Sequence, residues 1–152
     1  MDVDLDATAD LDIDRARVFA ALEDLATYPH WLRIVGSAAP APSDAGDAGP
    51  AWSVELVGRI GPFTKTKRVR MVRTGHDPHA GTVRFERVEH DGRSHNVWVL
   101  TGDATATDTG RTKVRVHLHY GGGRTLPGAD LLLRQEAARA GERLHRHVSR
   151  ME

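Results

Sequence analysis

Residues 126–150 constrain the fold more than any other stretch of the chain. Leu133, Ala137, Ala140, Leu144, Val148 and Met151 recur at steps of three and four, which predicts one amphipathic helix. Arg134, Glu142, Arg143, Arg146 and Arg150 fall largely off that face. Asp130 sits in the first turn, and Arg143, His145, Arg146, His147 and Arg150 crowd the end, as the helix dipole favours. The middle of the apolar face is small: Ala137, Ala138, Ala140 and Gly141 stand where a packed core favours Leu or Phe. A glycine inside a helix costs about 1 kcal/mol relative to alanine, so position 141 needs a reason. A sheet approaching the helix backbone closely is one; a space kept for a ligand is another.

A chain of 152 residues fits a single domain, spanning 1–152, that buries roughly 70% of the surface its unfolded form exposes. Lys plus Arg and Asp plus Glu both number 21, so the formal net charge is zero, against the basic excess of a nucleic-acid binder. Without cysteine there is no disulfide framework, no thiolate nucleophile and no Cys-based zinc site. The start, Met1-Asp2-Val3-Asp4, is acidic where a signal peptide is basic and then apolar. No apolar run approaches the ~20 residues that span a bilayer. The expectation is a soluble, cytoplasmic protein, a monomer or weak dimer, with no stable membrane insertion.

At the other end of the chain, Val3, Leu5, Ala7, Ala9, Leu11 and Ile13 alternate with Asp2, Asp4, Asp6, Thr8, Asp10 and Asp12. That is a half-buried strand with an acidic outer face. Asp14 is a good N-cap, and Ile13 and Val18 have the spacing of a hydrophobic staple, although Arg17 denies a full capping box. The helix this starts runs to about Ala26, and a second short one carries Pro29 to Val35. Residues 36–50 are Ala, Pro, Ser, Asp and Gly almost throughout and predict an exposed, mobile loop. Five strands follow, at 51–60, 63–73, 82–90, 94–105 and 111–120, separated by turns such as Gly61-Pro62, Asp91-Gly92 and Asp108-Thr109-Gly110. The last of them offers Lys113, Arg115, His117 and His119 on its polar face, opposite in sign to the first strand, so the two should be neighbours.

The stretch 13–31, with Phe19, Asp24, Tyr28, Pro29 and Trp31, resembles the opening of the START, or helix-grip (SRPBCC), superfamily. Its bacterial members are often described as polyketide cyclase/dehydratase-like or coenzyme-Q-binding-like. The order of elements resembles that superfamily over nearly the whole chain. The resemblance implies an α+β fold in which a curved antiparallel sheet wraps the long C-terminal helix, with two short helices after the first strand and a cavity for an apolar ligand. Two features depart from it: the 36–50 loop is longer and blander than usual, and six strands are counted where many members have seven.

Under this resemblance the small residues of the last helix favour a cavity over close packing. Inward-facing positions by alternation are Trp52, Val54, Leu56, Val69, Met71, Val83, Phe85, Trp98, Leu100 and Leu118. The helix contributes Ala137, Ala140, Gly141 and Leu144, with Phe19 and Trp31 near one mouth. Arg87 shares the face of Val83 and Phe85; it is either a strand end opening to solvent or an inward cation for a ligand carboxylate or phenolate.

Other constellations are weaker. His117 and His119 share one strand face but lack a third ligand, so no metal site is expected. Arg59, Lys65, Lys67, Arg68, Arg70 and Arg73 form a basic run, read as a solvated hairpin matched to Glu86 and Glu89, or else as a surface for an anionic head group or a transient membrane contact. There is no G-x-S-x-G elbow, no H-E-x-x-H helix and no Walker loop. The expectation is a cofactor-free binding protein for a small hydrophobic molecule such as a lipid, isoprenoid quinone or polyketide. A polyketide cyclase or dehydratase using the same cavity is the alternative.

Overall fold

The computed structural model describes residues 3–60, 63–121 and 129–150, and the side chains of residues 4–58, 66–121 and 139–150. Strand β1 (Val3–Leu11) leads into helix α1 (Arg15–Leu22) and a 3₁₀ turn (Leu25–His30). Six further strands follow: β2 (Val35–Ala41), β3 (Ala51–Ile60), β4 (Phe63–Asp77), β5 (Thr82–Arg87), β6 (Trp98–Ala106) and β7 (Thr112–Tyr120). Helix α2 (Ala129–Ser149) is the last element. The sheet has the order β1-β7-β6-β5-β4-β3-β2, every pair antiparallel. Consecutive strands are thus neighbours, except that β1 closes onto β7. It is an α+β helix-grip architecture, the sheet curling as a half-barrel around a C-terminal helix.

The expected pairing of first and last strands is present in full register, from Val3 opposite Tyr120 to Leu11 opposite Thr112. Asp14 caps α1 through a hydrogen bond accepted from the Arg17 amide. That helix stops at Leu22, earlier than expected, because Asp24 turns outward and caps the 3₁₀ turn by accepting from the Ala26 amide. The short helix expected from Pro29 is therefore a turn ending there. Tyr28 Oη donates to the Leu22 carbonyl at 2.8 Å, satisfying a helix-end acceptor inside the core, and burial raises its pKa. At the far end of the chain, Arg17 donates to the Val148 carbonyl and so tends the C-terminus of α2.

Two expectations are corrected. The sheet has seven strands, not six, because residues 35–41 form β2, an edge strand paired to β3. The 36–50 segment is thus only partly loop, and the remainder is held. Arg70 places one nitrogen 2.6 Å from Asp47 Oδ2 and another 3.2 Å from Oδ1, and also donates to the Pro42 carbonyl. The match of the basic run to Glu86 and Glu89 is limited to the charge of Glu89 acting on Lys67 and Arg70. Arg68 pairs with Glu55 and Arg70 with Asp47, while Glu86 and Glu89 pair with Arg84 and Arg87 of their own segment. Arg59 and Lys65 lie outside the described side chains.

Candidate functional site

The inner face of the sheet is built in rows by the registers. One row runs Arg73, Phe85, Leu100, Leu118, Leu5; the next runs His76, Val83, Gly102, Val116, Ala7. Over these rows lie α1 and the 3₁₀ turn, and the middle of this half is closely packed. Tyr28 contacts Trp31 at 4.3 Å between ring centroids and Phe85 at 6.0 Å, and Trp52 meets Phe85 edge-on at 5.5 Å. Leu22 and Val83 cover Gly102, where a methyl would lie 3.6 Å from Leu22 Cδ1 and 3.3 Å from Val83 Cγ1. Trp31, Val54, Val69, Met71, Val83, Phe85, Leu100 and Leu118 are all buried in this core. The motif residues Asp24, Tyr28 and Trp31 therefore serve as a cap, a carbonyl partner and a core side chain.

The helix half of the expected lining divides. Ala140 and Leu144 are buried in the same core. Gly141 lies against β1, where a Cβ would stand 2.7 Å from Ala9 Cβ, so the glycine permits close helix–sheet contact and does not hold space for a ligand. Ala137 lies outside the described side chains.

The opposite end of the inner face is less filled. There Leu56, Trp98 and Tyr120 are only partly buried. Trp98 and Tyr120 are cross-strand partners whose rings stack at 4.7 Å and 16°. Trp98 Nε1 is itself shielded from solvent, yet has no hydrogen-bond partner among the described residues. Arg87 sits beside them with its side chain only 7% exposed. It is satisfied locally: its Nε donates to Glu89 at 2.8 Å, and its other nitrogens reach His95 Nδ1 and the Asn96 carbonyl. The sequence left Arg87 either solvated or free for a ligand anion, and Glu89 supplies the buried partner instead. Lys67 follows Val69 and Met71 on this face, and its pKa is lowered by desolvation and by the Arg87 charge.

A second concavity, of about 560 Å³, opens on the other flank. It is lined by Glu23, Asp24, Pro40, Ala41, Ser43, Pro50, Ala51, Trp52, Arg73 and His76. His76 Nε2 lies 2.7 Å from Glu23 Oε2 and its ring stacks on Phe19, while Arg73 donates to the Glu23 carbonyl. Apart from Trp52, none of these residues was a candidate for the ligand lining from sequence. Arg73 and His76 are three apart, yet both face inward because a bulge between Arg73 and Gly75 adds a residue to β4. The glycine inside that strand was the available signal.

No protein-family model matches the sequence, and no curated protein does. Solved structures match over nearly their whole length. Ara h 8.0201 aligns at 14% identity with a TM-score of 0.61, covering 99% of each chain. TTHA0849 from Thermus thermophilus aligns at 17% identity with a TM-score of 0.73, again covering 99% of each chain. This chain has a helix-grip fold. At these identities the likeness concerns the backbone. Within a helix-grip frame the features that matter are local, namely the packed core under Tyr28 and Trp31, the cleft at Arg73 and His76, and the half-buried Trp98–Tyr120 end.

Among the described residues no helix is long and apolar enough to cross a membrane. Asp44, Asp47 and His90 approach one another closely enough to hold a metal ion. Arg70 occupies both oxygens of Asp47 there, so a guanidinium already supplies the compensating charge.

Proposed function

We propose that this protein binds a small hydrophobic molecule on the inner face of its sheet beneath α2, as a single domain acting as a monomer or weak dimer. The observation that carries this reading is the Trp98–Tyr120 stack. Two large aromatic rings remain partly uncovered on the concave face. Large apolar surface left unfilled on a concave wall is the usual material of a ligand pocket, where shape and burial bind and a few polar groups orient. Lipids, isoprenoid quinones and polyketide-like chains all fit that description. Contact with a membrane, if it accompanies ligand exchange, is transient in this reading.

Native mass spectrometry of protein purified gently from its own host, followed by denaturing extraction, tests the proposal. The expected result is an added mass that leaves on denaturation. A clean apo mass, together with no saturable uptake of an apolar fluorophore, would overturn it.

The Glu23–His76 pair favours a second reading, a cyclase- or dehydratase-type enzyme. An imidazole oriented by a carboxylate at the wall of a 560 Å³ cleft has the arrangement of a general base. The site differs from the cavity expected from sequence, since it lies on the opposite flank. Turnover of a polyketide-like substrate that survives His76→Ala would remove this reading.

A further inference from the structure

We infer that the ligand of the Trp98–Tyr120 end carries a hydrogen-bond-accepting oxygen, a carbonyl or phenol-type oxygen on an otherwise apolar body, which Trp98 Nε1–H takes up. The inference rests on the hydrophobic-ligand reading and narrows it.

An indole N–H is a donor only, so it can be satisfied in one way, by an acceptor atom. Trp98 Nε1 is shielded from water and has no such atom among the described residues. The contrast with Trp31 is informative. Its Nε1, in a side chain buried in the core, reaches Thr27 Oγ1 at 3.4 Å. Buried donors are almost always paired, and leaving one unpaired costs about 1–3 kcal/mol. Glu89 and His95 Nδ1 are turned to Arg87, and His95 Nε2 to Asp91. A shielded donor with no partner among the described residues points to an acceptor supplied by the ligand. Its chemistry is constrained further by the surroundings. Among the described residues two cations, Lys67 and Arg87, meet Glu89 at this end of the face, so a cationic ligand group is disfavoured. The Tyr120 ring stacked on Trp98 supplies a flat apolar wall beside the donor.

Two probes of the same shape separate the contributions: 2-acetonaphthalene, which carries a carbonyl, and 2-ethylnaphthalene, which does not. Binding is measured with wild type and with Trp98→Phe, and the three indole N–H signals are followed by ¹⁵N-correlated NMR. The inference expects wild type to prefer the ketone by about tenfold, with the Trp98 indole proton moving downfield only when the ketone binds. In Trp98→Phe the ratio of the two affinities should fall to about one, whatever the change in overall affinity. Equal binding of both probes to wild type, with a stationary Trp98 signal, would overturn the inference and leave the hydrophobic-ligand reading standing. Binding of neither probe would count against that reading itself and take this inference with it. If Trp98→Phe does not fold, the wild-type preference and the indole shift still decide the matter.

Discussion

Gly141 of α2 lies directly over Ala9 of β1, close enough that a Cβ at position 141 would stand 2.7 Å from the alanine methyl. Nothing at that contact can swing aside, since Ala9 Cβ is fixed to a strand paired along its length with β7. Gly141→Ala gains about 1 kcal/mol in helix propensity but must push helix and sheet apart, which costs about 1–3 kcal/mol. The expected outcome is net destabilisation of about 1 kcal/mol in urea denaturation. Combining it with Ala9→Gly should recover stability relative to the sum of the single changes, a coupling of about 1 kcal/mol. Additive single effects would show that the two residues do not meet.

His117 bridges two carboxylates on the outer face, Nδ1 at 2.8 Å from Asp6 and Nε2 at 3.0 Å from Asp4. Both ring nitrogens face acceptors, so both must donate, and the imidazolium is the form that fits. Its pKa is raised, chiefly by the hydrogen bond to Asp6, with Asp4 adding to it. A raised folded value means the stabilisation is fully present below the unfolded value of about 6.5 and fades as pH rises through the folded one. Thermal melts of wild type and His117→Gln should therefore differ by a few degrees in mild acid and converge on the alkaline side. The pair is partly exposed, so high salt should narrow the gap. A gap that widens with pH would refute the assignment.

Much of this frame was legible before any coordinates. The acid-and-apolar alternation of residues 3–13 predicted both a strand and its partner, because the complementary Lys113, Arg115, His117 and His119 alternate on the last strand. The long helix was legible from its period. β2 was not, because Gly36, Ser37, Ala38, Ala39 and Pro40 have little strand propensity and become a strand only by edge pairing with β3. The Arg73–His76 pair was hidden by the bulge that shifts the face of every later residue in β4. Gly141 shows a different kind of limit. A small residue on a helix face is the same letter whether a sheet or a ligand approaches it, and only the position of Ala9 decides.

The Arg70–Asp47 contact turns a glycine-rich segment into a held one. Asp47 also accepts from the Asp44 amide and approaches His90 Nε2 at 3.0 Å. Its pKa is lowered, first by the Arg70 hydrogen bond, so the latch persists above the lowered folded value and is lost as pH falls through it. Arg70→Ala should leave the sheet intact while limited proteolysis within residues 42–50 becomes several-fold faster. Unchanged cleavage would mean that the segment is held elsewhere.

His147 provides the opposite pH response to His117. It stacks on His30 with centroids 4.9 Å apart and planes at 9°, and its Nε2 is buried without a partner among the described residues. Desolvation lowers its pKa, and the neighbouring His30 lowers it further. A depressed folded value for a histidine means that the native state resists a proton the unfolded chain accepts, so stability is lost as pH falls below about 6.5. The stack joins α2 to the 3₁₀ turn, and protonation therefore sets two like charges against each other across the junction of the helix with the core. His147→Leu removes the titrating group and keeps an apolar side chain at the contact. Its melting temperature should fall less than that of wild type between about pH 7 and pH 5, while the alkaline limb set by His117 stays in place. The double variant with His117→Gln should then show both limbs flattened. An acid limb unchanged by His147→Leu would assign the loss to other groups.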